Sequence, residues 1–163
     1  MASAEVQLAE LKPEEFIAEQ VRAIRQVVGD GLAINALSGG VDSSTVTLLG
    51  HRALGESLLT CFIDNGLMRQ GEPERVVGLF RRLGVPVRLV DAREAFFAAL
   101  RGVSDPEAKR EAITQTFYKT VFGRLVKESG ARYLLQGTIL TDVEETRVMV
   151  HLRDETPRCR APS

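Results

Sequence analysis

The chain contains no tryptophan, and only two tyrosines, two histidines and two cysteines among its 163 residues. Cys61 and Cys159 are too few and too far apart for a disulfide framework or a zinc site, and Cys61 lies in an apolar run that suits a core position. Neither sign of charge dominates, with 21 Lys plus Arg against 22 Asp plus Glu. That balance excludes a protein whose main task is to neutralise a nucleic-acid backbone. No apolar run approaches the roughly 18 to 20 residues of a membrane span. The start, MASAEVQLAELKPEE, lacks the basic and apolar regions of a signal peptide. A cytoplasmic protein with no nucleic-acid or membrane partner is expected. Internal repeats and low-complexity tracts are missing too, and 44% hydrophobic with 26% charged residues is the composition of one folded domain.

What is present is an alternation. From Pro13, Ile17, Val21, Ile24 and Val28 recur at helical spacing and Gly29 follows as a stop. Residues 32–37 form a short, mostly apolar run between glycines, the pattern of a buried strand. A turn, Ser38-Gly39-Gly40-Val41-Asp42-Ser43-Ser44, leads into a helix over 45–54. Strands over 58–63, 85–90 and 132–135 then alternate with helices over 72–83, 92–100 and 106–129, the last carrying Ile113, Phe117, Val121 and Leu125 on one face. Strands separated by helices of this length predict an α/β fold with an open parallel twisted sheet and helices on both faces. Periodicity is lost after about residue 146, so 147–163 reads as a divergent tail and 1–12 as an N-terminal extension.

In an open parallel sheet ligands bind at the carboxyl ends of the strands, where residues 38–44 fall. Gly39 and Gly40 allow close backbone approach, the helix start offers unpaired N–H groups, and Ser38, Ser43 and Ser44 add hydroxyls, which together make an anion cradle. It is neither a Walker A loop nor a G-x-G-x-x-G fingerprint. Asp42 is out of place beside a phosphate unless a divalent cation lies between them, as magnesium does; the alternative is a plain helix N-cap.

Ser38 to Ser44 resembles the S-G-G-x-D-S-S/T pyrophosphate loop of the N-type ATP pyrophosphatases. Two further segments, Phe62-Ile63-Asp64-Asn65-Gly66-Leu67-Met68-Arg69 with Glu72, and Gln136-Gly137-Thr138-Ile139 with Asp142-Val143 and Glu145-Thr146, resemble the corresponding segments of the GMP synthetase branch. Asp105-Pro106-Glu107-Ala108-Lys109-Arg110 is similar to the D-P-E-x-K-R that opens a long helix there. The resemblance covers residues 13–146 and implies an ATP pyrophosphatase domain of the adenine nucleotide alpha hydrolase-like fold, with ATP and Mg2+ as cofactors. The implied reaction adenylates XMP for amination to GMP, releasing AMP and pyrophosphate.

By the resemblance, Ser38, Gly39, Gly40, Val41, Asp42, Ser43 and Ser44 hold pyrophosphate and magnesium, with Asp42 as metal ligand and Asp42 and Ser43 as catalytic residues. Phe62, Ile63 and Asp64 would meet adenine and ribose, or else Phe62 and Ile63 are core only. Gln136, Gly137 and Thr138 would contact nucleotide, or form a plain strand-end turn. Asp142 and Glu145 would orient magnesium or the XMP acceptor, or be solvated acids; Arg69 would meet a phosphate, or lie free on the surface. His51 reads as a satisfied or exposed histidine with no nucleophile beside it.

Beyond residue 146 the lid lysine and paired histidines, the further strand and the dimerisation domain of GMP synthetase are not recognisable, nor is an amidotransferase domain. Ammonia would come free or from a glutamine amidotransferase subunit. The uncovered neighbourhood of the first or fourth strand would invite self-association or a completing chain. The rival readings are a non-catalytic ATP- or AMP-binding module that needs a partner chain, and another ATP pyrophosphatase such as a sulfur-transfer enzyme, which asks for a placed cysteine.

Overall fold

The computed structural model describes residues 12–137. Of the expected extension over 1–12 only Lys12 falls among them, and Thr138, Asp142, Glu145, Cys159 and the tail over 147–163 lie outside. The first helix, α1 (Pro13–Val28), opens on proline, which has no N–H to leave unpaired, and carries Glu14 and Glu15 in its first turn, where the helix dipole favours them. Val21 and Val28 are buried along its apolar stripe. Four strands follow, β1 (Ala33–Leu37), β2 (Leu58–Asp64), β3 (Val87–Asp91) and β4 (Tyr133–Leu135). All pair in parallel in the order β3-β2-β1-β4, so their carboxyl ends share one edge.

The intervening helices are α2 (Val41–Leu54), α3 (Glu72–Arg82), α4 (Arg93–Leu100), α5 (Pro106–Gln115) and α6 (Gly123–Ser129). Period-two alternation along the strands builds a core on each face of the sheet, in one cluster on one face and two on the other. Ile34, Cys61, Ile63 and Val90 face α4 and the run from α5 to α6, packing on Phe96, Val121 and Leu125. On the opposite face, Leu37, Phe62 and Val87 meet Val77 and Phe80 of α3, while Ala33, Leu58 and Leu135 meet Val28 of α1. No helix of the described residues is long and apolar enough to cross a membrane.

Several boundaries differ from the sequence expectation for physical reasons. Helix α2 begins at Val41, not residue 45, because Gly40 takes the extended cap conformation and Asp42 sits favourably in the first helical turn. Strand β3 starts after Pro86, which has no N–H to give a ladder, although Val85 just before it is buried. The helix expected over 106–129 is continuous but passes through π-helical turns at Thr116–Phe122. A strict repeat of four, as in Ile113, Phe117, Val121 and Leu125, drifts around an ordinary helix, and wider turns bring it back to the core. Strand β1 is flanked on both sides, so among the described residues it is β4, and not β1, that forms the outer edge on that side.

Helix α2 buries its small residues. Thr47, Gly50 and Ala53 lie against the sheet, whereas Leu48 is exposed. At Gly50 a Cβ would come within 2.6 Å of Leu135 Cδ2 and 2.9 Å of Leu58 Cδ2, so glycine sets how closely α2 seats over β2 and β4.

Candidate functional site

The parallel register brings three segments to one edge: residues 38–40 after β1, the turn after Asp64 of β2, and Gln136-Gly137 after β4. The first is cross-braced by its own hydroxyls. Ser43 Oγ accepts from the Ser38 backbone N–H at 3.2 Å, lies 2.8 Å from Ser38 Oγ, and is 3.2 Å from the Gly40 carbonyl. Gly39 has φ +84 and a Cβ there would stand 3.0 Å from Val76 Cγ2, so both its conformation and its seat against α3 call for glycine. The loop is open to solvent: Ser38, Gly39, Gly40, Val41 and Asp42 are exposed, Val41 to 82%.

Asp42 is not the N-cap. That position belongs to Gly40, no side chain caps α2, and Asp42 is the second residue of the helix, with its carboxylate exposed. The first-turn N–H groups of α2 therefore face the loop side without a side-chain acceptor. Gly137 closes the other flank. Its Cβ position is 3.0 Å from the Asp42 carbonyl oxygen and 3.1 Å from Val46 Cγ2, which places the end of β4 directly on the first turn of α2. Gln136 beside it is exposed.

At the end of β2, Phe62 and Ile63 are both buried, on opposite faces of the sheet, and Phe62 lies beneath Gly39. Their side chains are core, so what this strand end offers at the edge is backbone and Asp64. The Asp64 carboxylate accepts from Gly66 N–H at 2.9 Å, and its second oxygen is 3.8 Å from Arg93 Nε. Arg93 also binds Asp91, Asp64's partner in the β2–β3 register, at 2.9 Å through Nε. One guanidinium thus screens two neighbouring carboxylates, and hydrogen bonding from Arg93 lowers the Asp91 pKa to about 2. Arg69 has an exposed side chain, while its backbone N–H donates to Glu72 at 3.0 Å and fixes the start of α3. His51 is half-buried, well past the loop on α2.

Cys61 is fully buried in β2, and burial pushes its thiol pKa up, opposed by nearby Arg88. A buried, protonated thiol is a poor nucleophile. Among the described residues no cluster of three or more His, Cys, Asp or Glu can hold a metal ion. An exposed Asp42 beside an anion cradle still fits magnesium, which keeps several waters and is held by one or two carboxylates together with substrate phosphates. Sequence reasoning missed Val76, Arg93 and the buried Asn35 and Thr47, none of which carries a motif.

No protein-family model matches the chain. Over 135 residues it is 51% identical to a subunit of the glutamine-hydrolyzing GMP synthase of Pyrococcus furiosus, covering 82% of this chain and 43% of that protein. It is 48% identical over 132 residues to the glutamine-hydrolyzing GMP synthase of Aquifex aeolicus, covering 81% of this chain and 26% of that one. The chain therefore spans less than half the length of these curated relatives. Among solved structures, the glutamine-dependent NAD+ synthetase of Acinetobacter baumannii in complex with ADP superposes with a TM-score of 0.71 at 18% identity, covering 93% of this chain and 30% of that one. That likeness shows the fold, the adenine nucleotide alpha hydrolase-like arrangement of a parallel sheet between helices.

Proposed function

We propose that this chain, homologous over 82% of its length to a subunit of an archaeal GMP synthase, is the ATP pyrophosphatase part of a GMP-forming ligase. The observation that carries the reading is the glycine loop: an exposed, hydroxyl-braced cradle at a helix start, on the carboxyl edge of a parallel sheet. In this reading Ser38, Gly39, Gly40, Val41, Ser43 and Ser44 hold the β- and γ-phosphates of ATP. Asp42 holds magnesium, which offsets phosphate charge when bound. An oxygen of the acceptor, XMP, attacks the α-phosphorus, the bond to pyrophosphate breaks, and ammonia then displaces AMP to give GMP.

The backbone of Phe62, Ile63 and Asp64 and the turn at Gln136-Gly137 flank the loop and are proposed to receive the nucleoside. Arg69 is proposed for the acceptor side, with Asp142 and Glu145 as its companions beyond the described residues. Ammonia would arrive free or from a glutamine amidotransferase subunit, in the cytoplasm. The buried Cys61 is unsuited to the placed nucleophile that a sulfur-transfer reaction asks for. The second reading is a non-catalytic ATP- or AMP-binding module that needs a partner chain.

Pyrophosphate release is the test, measured with ATP, magnesium and ammonium, with and without XMP. XMP-dependent release supports the ligase; ATP binding without release supports the module; absence of ATP binding refutes both. Asp42→Ala tests the metal role: the magnesium dependence of ATP affinity is expected to disappear, and affinity that still rises with magnesium would remove Asp42 from that role.

A further inference from the structure

Asn35 is an anomaly in the centre of β1. It is 1% exposed, and its neighbours in the sheet are Thr60 of β2 and Leu135 of β4. Its face of the sheet lies under α2, where Thr47 is also fully buried. A buried amide in a central strand is costly unless bonded. Asn35 Nδ2 donates to Thr47 Oγ1 at 2.6 Å, and Thr47 Oγ1 donates to the Ser43 carbonyl at 2.7 Å.

With its single hydroxyl proton on the Ser43 carbonyl, Thr47 accepts from Asn35 Nδ2, while Asn35 Oδ1 and Thr60 Oγ1 beside it are buried without a hydrogen-bond partner. Ser43 is the same residue whose Oγ binds Ser38 N–H and Ser38 Oγ on the loop. A continuous path therefore runs from the sheet interior through α2 to both arms of the glycine loop. The back-bond from Thr47 to Ser43, four residues earlier, also tends to bend a helix at its first turn. That first turn is where the loop's N–H groups are presented.

We propose that Asn35 and Thr47 are positioning residues for the phosphate loop: the buried relay sets the first turn of α2 against β1, and so sets the cradle's shape. The proposal rests on the nucleotide reading above. Thr47→Val keeps the shape and removes the hydroxyl; Thr47→Ser keeps the hydroxyl; Asn35→Val with Thr47→Val removes both members of the Asn35–Thr47 bond, so that neither is left facing an apolar partner. Binding of magnesium ATP would be followed by calorimetry, with thermal unfolding and amide exchange at Ser44, whose N–H bonds Gly40 O at 3.0 Å.

Thr47→Val is expected to weaken ATP binding about tenfold and to speed Ser44 exchange, with Thr47→Ser restoring both. The double variant is expected to recover thermal stability without recovering affinity. Recovery of affinity together with stability would overturn the proposal, as would unchanged affinity and exchange in Thr47→Val. Faster Ser44 exchange in Thr47→Val with no ATP binding by the unsubstituted chain would refute the nucleotide reading and leave the bracing standing.

Discussion

Replacing Gly39 by alanine tests whether the loop's shape is built into the backbone. At φ +84 an L-residue is strained by roughly 1–2 kcal/mol, and the methyl would stand 3.0 Å from Val76 Cγ2, tighter than ordinary contact. Against this, alanine restricts the unfolded chain and returns about 0.4–1 kcal/mol. The net loss is therefore about 1 kcal/mol, which for a chain of this length lowers Tm by about 2–4 °C. The effect on ligand should be larger, because relieving the strain or the Val76 contact moves the loop backbone itself. We expect magnesium ATP affinity to fall by more than the factor of about 5 that the stability loss corresponds to. Calorimetric titration beside a melting curve separates the two. Val76→Ala in the same chain removes the contact but not the strain, so it should restore part of the stability and little of the affinity. A Gly39→Ala chain that melts and binds as the unsubstituted one does would refute the assignment of Gly39 as a conformational requirement.

Gly50→Ala is expected to destabilise despite the helical preference of alanine. The added methyl meets Leu135 and Leu58 at 2.6 and 2.9 Å, and overpacking of roughly 1–3 kcal/mol outweighs a propensity gain of about 1 kcal/mol, so the urea midpoint should fall; a rise would show that the leucines repack freely. The Asp91 carboxyl, held down to about 2 by Arg93, stabilises the fold above its unfolded value of 3.8, and this contribution is lost as pH falls from there through about 2. The stability difference between the unsubstituted chain and Asp91→Asn, followed by urea unfolding at low ionic strength, should shrink over that window. Because the pair is exposed it should also shrink with added salt, and a difference insensitive to both would contradict the ion pair.

Strand and helix alternation made the architecture legible, since buried parallel strands are short apolar runs and α1 and α3 show one-sided patterns. The loop from Ser38 to Ser44 was legible for a different reason: adjacent glycines, hydroxyls and a carboxylate between a strand and a helix have few other uses. The buried side of α2 was not. Thr47, Gly50 and Ala53 are small, and a helix that must approach a sheet closely buries small residues while leaving Leu48 outside, the reverse of the usual hydrophobic stripe. Asn35 was hidden likewise, because one amide in an apolar run changes no periodicity, and its role depends on Thr47 facing it across the packing layer. The closeness of Gly137 to Asp42 is a product of the strand order, which local sequence does not encode.

The position of β4 bears on the sequence of folding events. β1 can pair with β2 as soon as α2 has formed between them, whereas Ala33 meets Tyr133 only after most of the described chain has been made. Closing so long a loop is entropically slower than closing a short one. Folding in the order of synthesis would therefore assemble the three-stranded core of β1, β2 and β3 first and dock β4 onto its edge afterwards. Gln136 and Gly137 travel with it, so the flank of the phosphate cradle would arrive after the glycine loop, and a nascent chain would present that loop half-built until the docking is complete.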